Sequence, residues 1–185
     1  VPGQDGEPFS QAVSTILQLK DQRMVFGTSE GIHVLDQGSV KPLLGSNAAQ
    51  SEYVLTMIED RAGNLWFATI NGLLYRFNLQ TEELIMVHEH SDVPPGMVYT
   101  MALARDGSLV MGTQRGVFQL MLNEQGQVQR MLSYGKQDGF LGMEANSNAT
   151  FVEEDGSIWI GTVDGAYKFK PNSLTNTVPM IPHLS

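Results

Sequence analysis

Four times along this 185-residue chain a short apolar run ends in Thr-x-x-Gly, and a second apolar run follows. The copies are GTSEGIHVL from Gly27, ATINGLLYRF from Ala68, GTQRGVFQL from Gly112 and GTVDGAYKF from Gly161. Their turn glycines, Gly31, Gly72, Gly116 and Gly165, recur about every 45 residues, the period of a propeller blade rather than of a helical repeat. No window shows sustained 3.6-residue apolar spacing with caps, which sets a helical solenoid aside.

The repeat extends upstream of each turn. Before each Thr lies an apolar strand: MVFGT (Met24 to Thr28), LWFAT (Leu65 to Thr69), LVMGT (Leu109 to Thr113) and IWIGT (Ile158 to Thr162). Three of these follow tight polar turns, DRAGN from Asp60, RDGS from Arg105 and EDGS from Glu154. Further runs precede the turns, at Ser14 to Leu19, Val54 to Ile58, Tyr99 to Leu103 and Ala149 to Val152. Asp-Gly and Gly-Asn between β-prone runs supply the positive φ that a hairpin needs. Each unit therefore reads as strand A, hairpin, strand B, Thr-x-x-Gly hairpin, strand C. Weaker fourth strands follow at Val40 to Leu44, Leu84 to His88 and Val128 to Leu132. Strand B is apolar at nearly every position, as suits a strand covered on both faces.

The expected fold class is all-β, a β-propeller with four blades of mostly four antiparallel strands. Residues 14–53 read as blade 1, 54–98 as blade 2, 99–148 as blade 3 and 149–171 as an incomplete blade 4. Residues 1–13 read as a leading loop or outer strand, so that the chain starts at a blade boundary, and 172–185 as a C-terminal extension. The missing outer strand of blade 4 comes either from Val178 to Leu184 or from the N-terminal residues.

Charge and composition narrow the partners. The net charge is −9 with no long run of Lys or Arg, which argues against a nucleic-acid partner. The absence of cysteine excludes disulfides, thiol nucleophiles and thiolate metal sites. No stretch approaches the ~20 apolar residues that span a bilayer.

DRAGNLWFATINGLLYRF (Asp60 to Phe77) resembles the two-component regulator propeller repeat, and EDGSIWIGTVDGAYKFKP (Glu154 to Pro171), preceded by GMEANSNATF (Gly142 to Phe151), resembles that family's final blade. The resemblance covers about residues 5 to 171. Val25 and Val110 depart from it, standing where Trp66 and Trp159 sit in the other blades. It implies an extracytoplasmic, periplasmic sensor part of a bacterial membrane-anchored signalling protein. The parent would carry a following β-sandwich, toward which 172–185 leads, and a histidine kinase or other output module. This domain itself is expected to be non-catalytic and without cofactor.

Turn and surface roles account for most of the chemistry-bearing residues. His88 and His90 would share one face of a strand, yet no third metal ligand can be placed beside them. The acidic hairpins at Asp60, Asp106 and Asp155 lack the alternating oxygen ligands of a calcium loop, and turn chemistry accounts for them. Asn148-Ala149-Thr150 has the form of a glycosylation sequon and carries no weight in a bacterial chain. Propellers also host lactonases and streptogramin-type lyases, which keeps an enzyme as an alternative, and a protein-binding scaffold is a third reading.

A ligand is expected where the B–C turns and the starts of strands A emerge together around the channel mouth. That face would present Glu30, Asn71, Arg115 and Asp164 from the turns, with Tyr53, Tyr99, Asn146 and Asn148 beside them. Tyr and Asn suit a small polar ligand or glycan, through stacking and neutral hydrogen bonds. Four blades could close on themselves, but the ring that the resemblance implies is larger, usually seven blades or more. Each bare end face of an arc would expose ~600 Å² of largely apolar surface, more than soluble monomers tolerate. The expectation is a homodimer through the open blade faces, a two-fold ring of eight blades.

Overall fold

The computed structural model describes residues 2–3, 9–45, 48–87, 96–135, 138, 140, 144–171 and 178–180. These residues form four antiparallel sheets of four strands, each in chain order. Blade 1 comprises β1 (Val13–Gln18), β2 (Met24–Thr28), β3 (Gly31–Asp36) and β4 (Ser39–Pro42). Blade 2 comprises β5 (Val54–Glu59), β6 (Asn64–Thr69), β7 (Leu74–Asn78) and β8 (Leu84–Met86). Blade 3 comprises β9 (Val98–Leu103), β10 (Leu109–Thr113), β11 (Gly116–Leu122) and β12 (Val128–Tyr134). Blade 4 comprises β13 (Ala145–Val152), β14 (Ile158–Thr162), β15 (Gly165–Phe169) and β16 (Val178–Met180). The chain is an all-β, four-bladed propeller unit.

Blade 4 is complete, with its outer strand inside the segment read as an extension: β16 pairs with β15 through Ala166 and Met180. Pro179 lacks an N–H to donate, and an outer edge strand is where that is tolerated. The N-terminal residues serve blade 1 instead. Pro2 accepts a hydrogen bond from Val40 N at 2.9 Å, and Gly3 makes a parallel bridge to the same residue.

Side chains alternate across each sheet, so one blade presents different residues to its two neighbours. Three buried clusters fill three seams. Val25, Ile32 and Val34 of blade 1 pack with Leu65, Phe67 and Tyr75 of blade 2. Trp66, Ala68 and Leu74 of blade 2 pack with Leu109, Met111 and Phe118 of blade 3. Ala102, Val110 and Val117 of blade 3 pack with Ile158, Ile160 and Tyr167 of blade 4. No fourth cluster joins blade 4 to blade 1 among the described residues. Burial of the strands B follows from this: β6 and β10 are buried at every position, whereas β14 alternates buried and half-buried.

A second tie between blades runs along the face that bears the A–B turns. Lys20 Nζ of blade 1 donates to Asp60 O of blade 2 at 2.5 Å. Arg61 of blade 2 donates to the Arg105 carbonyl of blade 3, and Arg105 to the Glu154 carbonyl of blade 4. Each cation thus reaches forward to the corresponding turn of the next blade.

Candidate functional site

At the opposite face, each Thr-x-x-Gly turn is held by its own threonine. Thr28 Oγ1 donates to Gly31 O at 2.9 Å and accepts from Glu30 N at 3.0 Å. Thr113 repeats this with Gly116 O and Arg115 N, both at 3.0 Å, and Thr162 with Gly165 O at 3.1 Å and Asp164 N at 3.3 Å. Blade 2 departs from the pattern. Its hairpin is closed by Thr69 and Leu73, so the loop Ile70–Asn71–Gly72 is one residue longer. The longer loop carries the Gly carbonyl out of reach, and Thr69 Oγ1 is buried without a hydrogen-bond partner among the described residues.

The start of strand A lies beside each turn. Ser29 N donates to Ala12 O, Ile70 N to Tyr53 O and Val163 N to Glu144 O. Side chains reinforce the pairing: Gln11 Nε2 donates to Glu30 Oε2 at 2.7 Å, Asn71 Nδ2 to Glu52 Oε2 at 2.6 Å, and Gln114 Nε2 to the Tyr99 hydroxyl at 3.1 Å. Asn146 Nδ2 donates to Thr162 O at 3.1 Å.

Just inside this rim every strand A is irregular. The register with strand B slips between Val13 and Thr15, between Val54 and Thr56, and between Val98 and Thr100, and more widely between Ala145 and Thr150. A bulge turns backbone polar groups away from the ladder. In blade 4 the wide bulge brings Asn148 across the axis, where its Nδ2 donates to Ser14 O at 3.1 Å and to Leu55 O at 3.2 Å. Asn148 takes φ 52°, a left-handed conformation that Asn adopts more readily than most residues.

The innermost strands of all four blades enclose an open axial cavity of about 550 Å³. Its wall is neutral, with Ser14, Thr15, Thr56, Thr100, Thr150 and Asn148 supplying the polar groups and no ionisable side chain present among its lining residues. The Thr100 and Thr150 hydroxyls are hydrogen-bonded to one another across the blade 3–blade 4 seam. A smaller cavity of about 310 Å³ lies at the other face, between the Asp60–Ala62 and Asp106–Gly107 turns and the Asn123–Gly126 hairpin.

The eight sequence-predicted residues fall into two groups. Asn148 alone among them lines the cavity. Glu30, Asn71, Arg115 and Asp164 are exposed on the turns, where Glu30 and Asn71 are engaged by the strand A starts of their own blades. Tyr53 and Tyr99 are half-buried and Asn146 is exposed, each tied to its own blade's turn. Sequence reasoning missed Ser14 and the threonines Thr15, Thr56, Thr100 and Thr150. A signal for three of them was present, since VST, VLT and VYT set Thr15, Thr56 and Thr100 at one register, opposite Gly27, Ala68 and Gly112, whereas Thr150 pairs one step on, with Ile160. His88 and His90 lie outside the described residues. Among the described residues no three His, Cys, Asp or Glu side chains stand close enough to hold a metal ion.

Residues 49–71, which span the start of blade 2 through its strand B and turn, match the family model for the two component regulator propeller. The chain carries a two component regulator propeller repeat. No curated protein matches it. Among solved structures, the extracellular domain of the one component system BT4673 from B. thetaiotaomicron is similar with TM-score 0.73 and 20% identity, over 96% of this chain and 23% of that one. The extracellular domain of the hybrid two component system BT3049 from the same organism gives TM-score 0.68 and 18% identity, over 95% and 24%. Virginiamycin B lyase from Staphylococcus aureus gives TM-score 0.67 and 14% identity, over 98% and 62%. At these identities the likeness is one of fold. The chain spans under a quarter of these two extracellular domains.

Proposed function

We propose that this propeller is a non-catalytic, extracytoplasmic sensor module of a transmembrane signalling protein, and that it binds a small neutral polar ligand, a sugar or short glycan, at the axial mouth and relays its presence to an output domain. The regulator-propeller repeat and the fold shared with sensor domains support the sensor class. The observation that carries the ligand chemistry is Asn148. Its amide donates into two bulge carbonyls, those of Ser14 and Leu55, on the wall of an open and uncharged cavity. Inward carbonyls and hydroxyls without a nearby charge suit a ligand rich in hydroxyl donors, and the sites of such ligands combine a few convergent polar groups with apolar walls. Met57, Ile58 and Met101 supply that apolar part.

A thermal-shift panel of neutral mono- and oligosaccharides tests the reading. At least one should raise the melting temperature, and Asn148→Asp, which sets a carboxylate against carbonyls, should remove the shift. A panel with no response, or a response indifferent to Asn148, contradicts it. The fold likeness to virginiamycin B lyase favours one other reading, a propeller lyase. Turnover of a cyclic depsipeptide or lactone by the purified chain would establish that reading in place of binding alone.

A further inference from the structure

Deepening the axial-site reading on which it rests, we infer that the cavity holds a three-point subsite, made of the Thr15 and Thr56 hydroxyls and the Asn148 amide oxygen, that binds adjacent hydroxyls of a neutral sugar and turns away the corresponding sugar acid.

Local sequence decides which branch of each threonine faces where. Thr15 and Thr56 stand just past the bulges of their strands A, opposite Gly27 and Ala68. A Cβ on Gly27 would meet the Thr15 Cγ2 methyl at 2.5 Å, so that methyl fills the space strand B leaves empty. Thr100 seats its methyl on Gly112 in the same way, at 2.8 Å. β-Branching holds χ1 tightly. With the methyl committed to the neighbouring strand, the hydroxyl is the branch left for the cavity that Thr15 lines. Thr56 takes the equivalent register over Ala68, another small residue, and lines the same cavity.

Hydrogen bonding then separates the polar groups of the wall. Ser14 Oγ is engaged by Gly27 O, at 2.9 Å, and by Val54 O. The Thr100 and Thr150 hydroxyls are engaged with one another. The Thr15 and Thr56 hydroxyls bond no other described residue. Thr56 is 2% exposed, and a nearly buried hydroxyl with no protein partner calls for one from the cavity. Asn148 completes the set. Its Nδ2 is committed to Ser14 O and Leu55 O, on the residues immediately before the two threonines, while its Oδ1 has no partner among the described residues. The amide is thereby anchored to the two strands that carry Thr15 and Thr56, with its oxygen left to accept.

This set of donors and acceptors defines the ligand. Each threonine hydroxyl can donate one hydrogen bond and accept others, and the amide oxygen only accepts. Neighbouring sugar hydroxyls do both, so they can satisfy all three groups at once, while Met57 and Met101 on the same wall offer apolar contact to ring carbons. A carboxylate only accepts, so it leaves Asn148 Oδ1 facing another oxygen. It would also bring an ion into a cavity with no cation in its lining, on a chain of net charge −9. Selection against the acid thus comes from groups left unpaired rather than from a clash.

Glucose, galactose and mannose, each beside its uronic acid, can be titrated against the 185-residue chain by ligand-observed NMR. At least one neutral sugar should bind, and its acid about tenfold more weakly. Against that sugar, Thr15→Val and Thr56→Val should each weaken binding about fivefold, as loss of one neutral hydrogen bond predicts, with cooperative melting retained. Thr15→Ser and Thr56→Ser, which keep the hydroxyl and lose the methyl, should stay within about twofold of wild type. A packing role would give the reverse order, so Val variants that bind like wild type, or Ser variants that lose as much as Val, would overturn the subsite. Equal affinity for the acid would overturn it too. Should no sugar bind the wild type, the axial-site reading itself fails, and the subsite falls with it.

Discussion

Asp60 shows how much one side chain can organise. It is 1% exposed and accepts from Asn64 N and Nδ2, both at 2.9 Å, and from Trp66 Nε1 at 2.8 Å. Six residues before the other tryptophan, Glu153 does the same for Trp159 at 2.6 Å, and Lys168 bonds its other oxygen at 2.5 Å. Those two bonds, the lysine's foremost, hold the Glu153 carboxyl below its usual range. In blades 1 and 3 the paired positions are Leu19 with Val25 and Ala104 with Val110, all buried and all apolar. The departures from tryptophan are thus matched changes, an indole with a carboxylate or an aliphatic with an aliphatic. Asp60→Ala strands three donors in a buried place and should cost about 3 kcal/mol in denaturant unfolding. A loss under about 1 kcal/mol would mean that the carboxylate is not the hub described.

His33, 5% exposed against Phe9, gives a pH signature. Burial holds its pKa below the ordinary 6.5, and Glu30 opposes this only in part. The folded state therefore binds the proton less readily than the unfolded chain. Stability is level above the unfolded pKa and falls as pH drops from there toward the folded pKa. The melting temperature should decline from about pH 7 to about pH 5, and His33→Gln should flatten the part due to this site. A slope unchanged in the variant would assign the effect to the carboxylates.

Among the elements, the Thr-x-x-Gly hairpin was legible and one of its copies was not. Three threonines bridge to the turn glycine, but ATINGLL spends an extra residue and leaves the Thr69 hydroxyl without a partner among the described residues. Nothing in the four-residue motif distinguishes these outcomes; the difference lies in which residue resumes the strand, Leu74 rather than Gly72. Thr69→Val should accordingly stabilise by about 1 kcal/mol, whereas Thr113→Val should destabilise by about the same amount. Equal signs in urea titrations would contradict this reading of the turns. Strands A, B and C announce themselves by apolar runs between turn residues. Strand β16 was legible only as one of two alternatives, because a short segment with Pro179 is compatible with an edge strand without requiring one. The β13 bulge was equally hidden: ANSNAT shows that asparagines gather there, not that the register slips and carries Asn148 across the axis.

At the scale of the whole molecule, repetition sets the architecture. Each seam is built from the same positions, and Val13, Phe151 and Ala166, which hold the corresponding positions on the first and last blades, are exposed. The turn face expected from sequence to hold the ligand is largely occupied with its own hairpins. The convergent neutral groups stand one layer inward, on the bulged strands around the axis. Signalling through such a site would couple ligand to the relative set of the blades, since Asn148 of blade 4 bonds backbone of blades 1 and 2. Isothermal calorimetry of the responding saccharide against wild type and Asn148→Asp tests this account most directly. Saturable binding, one equivalent per chain and weakened at least tenfold in the variant, is the predicted result; equal affinity in both, or no binding by the wild type, would contradict it.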